Sequence, residues 1–126
     1  LDDLREEFGL TVLFITHDLP TLAAACRRLA VMYAGRIIEE GPAREVFGAP
    51  AHPYTRALGA AFPVIGDPAF RYNPSGLPGD PPDPRALPSG CPFHPRCPDA
   101  RAECPTTDME LWPAGPGRRA ACVEVL

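Results

Sequence analysis

Lysine is missing from this chain of 126 residues, and all 12 basic residues are arginine. The arginines form no cluster, and 16 acidic residues outnumber them to give a net charge of −4. That balance argues against a nucleic-acid surface, which needs a concentrated basic footprint. Long apolar runs are also missing. The longest, Leu29 to Ala34, is six residues, far short of a bilayer span. No secretory leader is visible, and there is no initiator methionine. The chain opens at Leu1 inside what reads as a helix, so a piece of a longer protein is expected.

Proline and glycine, by contrast, are abundant, together 29 of 126 residues. That share approaches the range in which chains fail to build a compact core, yet 45% of residues are hydrophobic. The distribution explains the conflict. Residues 1–41 hold one proline, Pro20, and residues 42–126 hold the other 17. Ordinary globular structure is expected in the first third, and loops, short helices and extended segments after it. Four of the five cysteines fall in the last 36 residues. Without a secretion signal, such clustering suggests a cytosolic metal or iron–sulfur site.

Leu1, Leu4 and Phe8 share one face of a helical pattern that Gly9 ends. Leu10 to Thr16, LTVLFIT, is apolar on both faces and reads as a buried strand of a parallel sheet. A second helix is expected over 19–29, capped by Asp18, with Pro20 in its first turn and Cys26 as a plain core residue. Segments 29–33 and 36–40 flank Ala34-Gly35 and predict a hairpin. Short helices follow at Pro42–Phe47 and Pro53–Phe62, each begun by proline. Pro63 to Gly90 has no periodicity and reads as an extended connector. The order is that of the closing part of an α/β domain.

His17 follows the expected strand directly, at the sheet edge where open α/β folds bind ligands. An imidazole there can donate to a phosphate oxygen, although on four residues alone, Ile15 to Asp18, a partly buried histidine capping the next helix is the preferred reading. The wider window from Glu6 to Phe47 closely resembles the end of an ATP-binding cassette (ABC) transporter ATPase. The resemblance implies that His17 is the switch histidine, which contacts the γ-phosphate and helps position the attacking water. Thr16 and Asp18 match its flanks, and Gly35 and Gly41 match the hairpin. One departure is Arg27-Arg28, where the family has an Asp-Arg pair. The chain holds no G-x-x-x-x-G-K-[ST] loop, no LSGGQ-like signature and no Walker B acid pair. By the resemblance, the ligands of ATP and Mg2+ belong upstream, and this stretch alone does not hydrolyse ATP.

His52-Pro53-Tyr54-Thr55 is similar to the start of the C-terminal extension in the oligopeptide/dipeptide/nickel importer subfamily. Its preferred reading is an anchor that docks the extension, with Tyr54 burying its ring, because no nucleophile or acid pair accompanies His52. Cys91, Cys97, Cys104 and Cys122 are spaced C-x5-C-x6-C-x17-C, and Pro92, Pro98 and Pro105 follow the first three. Proline stiffens the unliganded loop, and thiolates suit zinc or iron–sulfur clusters. The short knuckles usual for structural zinc are missing. Longer spacings and Cys-Pro steps fit a cluster better, while His94 keeps a Cys3His zinc site open. Phe93 and Arg96 also match the extension, whose four-cysteine members are associated with a [4Fe–4S] cluster. Arg96 is expected either to screen that charge or to be solvated. Leu111 and Trp112 are expected to form a small hydrophobic lid.

The expected fold is therefore α/β: the C-terminal part of a P-loop, RecA-like ABC ATPase domain at 1–48, then a Pro-rich, mostly irregular extension at 49–126 carrying the four-cysteine site. The resemblance implies the ATP-binding, ATP-hydrolysing subunit of an importer for di- or oligopeptides or related small solutes. It further implies a homologous second ATPase subunit, transmembrane permeases, an extracytoplasmic solute-binding protein as an indirect partner, no nucleic acid, and the cytoplasmic face of the membrane. Two rivals stay open, an iron–sulfur redox module and a zinc-stapled interaction domain.

Overall fold

A computed structural model describes residues 2–61 and 77–126. The chain begins with α1 (Asp2–Phe8), whose Leu4 and Phe8 are exposed. Asp18 caps α2 (Leu19–Ala25), accepting from the Thr21 N–H at 3.2 Å and from the Thr21 hydroxyl at 2.6 Å. Those bonds hold the Asp18 carboxyl below its ordinary pKa. The helix is shorter than the periodicity suggests. Cys26 is already extended, because Arg28 starts a strand that takes Leu29 into the core from a different element. Cys26 is half-buried against that core.

The hairpin forms as expected, from β1 (Arg28–Tyr33) and β2 (Arg36–Pro42). Ala34 and Gly35 take φ values of 49° and 79°, the two left-handed positions that let a two-residue turn follow the strand twist. Leu29, Val31 and Tyr33 alternate inward. The pairing slips between Val31↔Glu39 and Met32↔Ile37, leaving Ile38 as the extra residue. As a result Ile38 and Glu39 are consecutive and both buried.

Two short helices follow, α3 (Ala43–Gly48) and α4 (Pro53–Ala60). Pro42 caps α3 instead of opening it, and Pro53 does open α4. Of the expected connector, residues 63–76 lie outside the described residues, as does Phe62 at the expected helix end. Residues 77–90 are irregular. The extension then contributes more regular structure than its composition suggests. Strands β3 (Trp112–Gly115) and β4 (Arg118–Ala120) make a second hairpin. Strand β4 pairs with β2 through Glu39↔Ala120 and Glu40↔Arg119, completing an antiparallel sheet in the order β1-β2-β4-β3. Arg119 reinforces that register by donating to Glu40 Oε1 at 2.6 and 3.0 Å. Arg118 reaches the Glu45 carbonyl at 3.2 Å and also the Ala49 carbonyl. One sheet therefore runs through both sides of the division expected at 48/49.

The buried parallel strand expected at 10–16 is not a strand. Leu13 and Ile15 are 85% and 91% exposed, and Leu10 to Thr16 takes no regular structure. Strand propensity acts only when a neighbour completes the ladder. The four strands described here pair with one another and leave this segment none.

The core is small. Leu19, Leu29, Val31, Tyr33, Ile38 and Val46 supply its first part, and Cys91, Phe93, Cys104, Met109 and Ala121 join it from the extension. Phe93, 0% exposed, is where the two meet. Its ring lies 5.4 Å from those of Tyr33 and Tyr54, edge-on to both, while Tyr33 and Tyr54 are 4.6 Å apart. Such contacts strengthen packing beyond the area they bury.

Candidate cysteine site and switch histidine

Around Phe93 the backbone folds into a series of tight turns. The Cys91 N–H donates to the Cys104 carbonyl at 2.9 Å, and the Cys91 carbonyl accepts from the His94 N–H at 3.0 Å. The Cys97 N–H returns to the His94 carbonyl at 3.3 Å, and the Arg101 N–H donates to Cys104 Sγ at 3.3 Å. Gly90 makes the first crossing possible. Its φ is +66°, and a Cβ there would lie 2.2 Å from the Cys104 carbonyl oxygen. Cys122 arrives from β4, just before a 3-10 turn at Val123–Val125.

These turns bring all four predicted cysteines to one cavity of about 10 Å3, which His52, Phe93, His94, Asp99, Met109 and Val123 also line. Burial, the largest influence, raises the thiol pKa of Cys91, Cys97 and Cys122. Mutual proximity adds to it: Cys104 acts on Cys91, Cys91 and Cys104 act on Cys97, and Cys91 and Cys97 act on Cys122. Cys122 is pushed up to about 11 by burial, against the opposing hydrogen bond from the Glu124 backbone. Burial thus favours the protonated form of Cys91, Cys97 and Cys122, and a cation that drew them into coordination would release protons. Among the described residues, no three Cys, His, Asp or Glu side chains stand ready as a single-ion group.

Two histidines line this cavity in complementary states. His94 Nδ1 is 2.8 Å from the Cys91 carbonyl. A carbonyl only accepts, so Nδ1 carries a proton that faces it. His52 is the reverse. Its Nδ1 accepts from the Tyr54 N–H at 3.0 Å and so caps α4. Its ring is 1% exposed, and Nε2 has no hydrogen-bond partner. Burial depresses the His52 pKa to about 4, opposed by the Ala121 backbone and assisted by the Arg56 charge. The Ala121 carbonyl thus bears on the ring without meeting hydrogen-bond geometry at Nε2.

The anchoring expected of His52–Thr55 has a definite basis. The buried carboxylate of Glu39 accepts from the Ala51 N–H at 2.9 Å and from the His52 N–H at 3.0 Å. Tyr54 buries its ring against Tyr33 and Phe93, which raises its pKa. Arg56 pairs with Asp99, linking α4 to the cysteine turns.

Other expectations change. Arg96 neither screens the cavity nor stands free in solvent. Its guanidinium donates to the carbonyls of Pro78 and Gly79 at 2.8 Å each and reaches the Tyr33 hydroxyl at 3.4 Å. It therefore pins the end of the connector against the hairpin. Leu111 and Trp112 pack on the core, but Met109 and Val123 line the cavity in their place. Sequence reasoning missed Glu39, Met109 and Val123. The sequence marks Glu39 only as the first of two consecutive acids, Glu39-Glu40, after Ile37-Ile38, and nothing local says which of the two is buried.

His17 is not brought to the cysteine cavity. It sits exposed between the apolar segment and α2, while its neighbour Asp18 caps that helix. Arg28, the arginine that the family pair shares, lies 4.0 Å from Glu40 and donates to the Gly117 carbonyl at 3.4 Å. No helix among the described residues is long and apolar enough to cross a membrane.

Comparison with known proteins gives a consistent picture. Residues 38–104 match the family described as the oligopeptide/dipeptide transporter, C-terminal region. A putative peptide import ATP-binding protein of Brucella ovis is 45% identical over 123 residues, covering 98% of this chain and 38% of that protein. A probable peptide ABC transporter ATP-binding protein of Sinorhizobium fredii is 47% identical over 122 residues, 97% of this chain and 34% of that protein. The oligopeptide transport ATP-binding protein OppD of Escherichia coli is 43% identical over 122 residues, 97% of this chain and 35% of that protein. The chain thus spans little more than a third of the length of the relatives it matches.

Proposed function

The chain belongs to the oligopeptide/dipeptide transporter C-terminal-region family, and on that premise we propose that it is part of the ATP-binding subunit of an ABC importer for di- or oligopeptides or related small solutes. The observation that carries the reading is the near-complete coverage of this chain by ATP-binding proteins of peptide importers at 43–47% identity. The intact subunit binds ATP with Mg2+ at an interface with a second, homologous subunit. It drives transmembrane permeases from the cytoplasmic face, and a solute-binding protein delivers the cargo. Within that assembly His17 contacts the γ-phosphate and holds the attacking water, for which its exposed position ahead of α2 leaves it accessible. This stretch alone does not hydrolyse ATP, because positioning requires contacts from motifs it does not contain.

The four cysteines form a separate structural site. Soft donors from Cys91, Cys97, Cys104 and Cys122 line one cavity, a donor set that suits a [4Fe–4S] cluster, with zinc as the alternative. Such a group would cross-link the turns of an extension whose apolar core is small. The test uses the full-length subunit in its reconstituted importer. His17→Ala should abolish ATP hydrolysis while ATP binding persists, and unchanged hydrolysis would sink the assignment. Iron and acid-labile sulfide are expected in anaerobically purified protein. Zinc without sulfide would reject the cluster.

A further inference from the structure

His52 stands out among the residues around the cysteine cavity because half of its hydrogen bonding is incomplete. Three observations fix its state. The Tyr54 N–H donates to Nδ1, so the neutral ring must carry its proton on Nε2. Glu39 holds the His52 backbone N–H at 3.0 Å, so the ring is fixed to β2 as well as to α4. Nε2 itself is buried and makes no hydrogen bond, an unfavourable state when nothing compensates. Because Nδ1 accepts, the unpartnered Nε2 is the N–H donor of the ring.

The cavity that His52 lines presents four sulfurs. A thiol is a weak acceptor, but a metal-bound thiolate or a cluster sulfide carries the negative charge that an N–H seeks. His94 already has its Nδ1 proton engaged by the Cys91 carbonyl. We propose that His52 Nε2–H donates a hydrogen bond to a sulfur of the metal group held by Cys91, Cys97, Cys104 and Cys122, and so sets that group's reduction potential. The inference rests on the cluster reading above and assigns His52 a role beyond anchoring the extension. A hydrogen bond to sulfur favours the more negative, reduced state and raises the potential. His52 is thus a positioning residue acting through the cluster, and it joins β2 of the hairpin to the metal site through Glu39.

The experiment separates the two jobs of the ring in the full-length subunit, purified anaerobically. His52→Asn keeps an oxygen that can accept the Tyr54 N–H but loses the donor. His52→Gln extends an amide N–H towards the position of Nε2 but loses the cap. Iron, zinc and sulfide are measured first, and the potential is then followed by electron paramagnetic resonance during reductive titration. His52→Asn should retain iron and sulfide and show about a tenfold smaller reduced-to-oxidised ratio at a fixed poise, equivalent to ~59 mV for a one-electron couple. His52→Gln should stay near the wild-type potential. A wild-type potential in a fully loaded His52→Asn protein overturns the inference and leaves the cluster reading intact. Zinc or no metal in the wild type overturns the cluster reading itself, and this inference with it. A measurement without substitution guards against misfolding: wild-type protein labelled with 15N-histidine should show a weak nitrogen coupling to the reduced cluster. None at full occupancy would reject the hydrogen bond.

Discussion

Glu39 Oε2 lies 3.0 Å from the backbone nitrogen of His52, and Glu39 Oε1 lies 2.9 Å from that of Ala51. The carboxylate is 0% exposed. It therefore replaces water for two main-chain donors where the chain turns from α3 into α4. An amide in its place has one oxygen for two N–H groups. Glu39→Gln should destabilise the protein by about 1–3 kcal/mol through the orphaned donor. Urea unfolding reads the change, and faster proteolysis within residues 49–52 should accompany it. A stability equal to wild type would show that the two bonds contribute nothing.

Phe93 offers a test of how the extension is attached. Its ring is 0% exposed and touches Tyr33 of β1 and Tyr54 of α4, with His52 6.0 Å away. Removing it leaves a cavity between the cysteine turns and the hairpin. Phe93→Ala should cost about 3–5 kcal/mol, measured by urea denaturation. Phe93→Leu keeps more of the volume and should cost less. Equal costs for the two would mean that the edge-on ring contacts, rather than filled volume, carry the stability.

Local chemistry made much of this architecture legible in advance. Ala34-Gly35 announces a tight turn between two apolar runs, Asp18 announces a helix start, and proline opens α4 at Pro53. The four cysteines are recognisable as a group by their spacing, and the turns do bring them together. What could not be read depends on partners distant in sequence. Residues 10–16 have strand composition but, among the described residues, no strand beside them. The pairing of β4 with β2 joins residues about 80 positions apart, and no local pattern in Arg118–Ala120 specifies it. Arg96 looks like a surface charge until the carbonyls of Pro78 and Gly79 close around it. His52 reads as a capping residue, which it is, but the isolation of its second nitrogen arises from burial by segments far along the chain.

Two glycines should respond to alanine in opposite ways. At Gly90 φ is +66°, and a Cβ would meet the Cys104 carbonyl at 2.2 Å and the Pro105 backbone at 2.7 Å. Neither obstacle is a movable side-chain end, so the crossing that pairs Cys91 with Cys104 must open. Gly90→Ala should destabilise the extension and lower metal content after anaerobic purification. Gly59 lies inside α4, where an added Cβ would meet nothing within 4 Å and φ is not positive. Gly59→Ala should stabilise by about 0.5–1 kcal/mol through the lower entropy of the unfolded chain. Thermal unfolding of both variants checks the contrast, and a destabilised Gly59→Ala would mean that α4 is constrained by contacts its open flank does not reveal.

Acid should act on the metal-free protein through His52. Its folded pKa is about 4, against 6.5 for the ordinary side chain. Above about pH 6.5 the ring is neutral in both states and contributes no pH dependence. As pH falls from there towards 4, the unfolded chain binds a proton that the folded chain refuses, so stability is lost across that window. At about 1.4 kcal/mol per pH unit the full loss approaches ~3 kcal/mol. His52→Asn does not titrate, and its oxygen can still cap α4. Urea unfolding at pH 7.5 and at pH 4.5 should therefore show a larger loss for wild type than for His52→Asn, by ~2–3 kcal/mol. Parallel losses in the two proteins would place the acid sensitivity in other groups and show that His52 is less isolated from water than its burial implies.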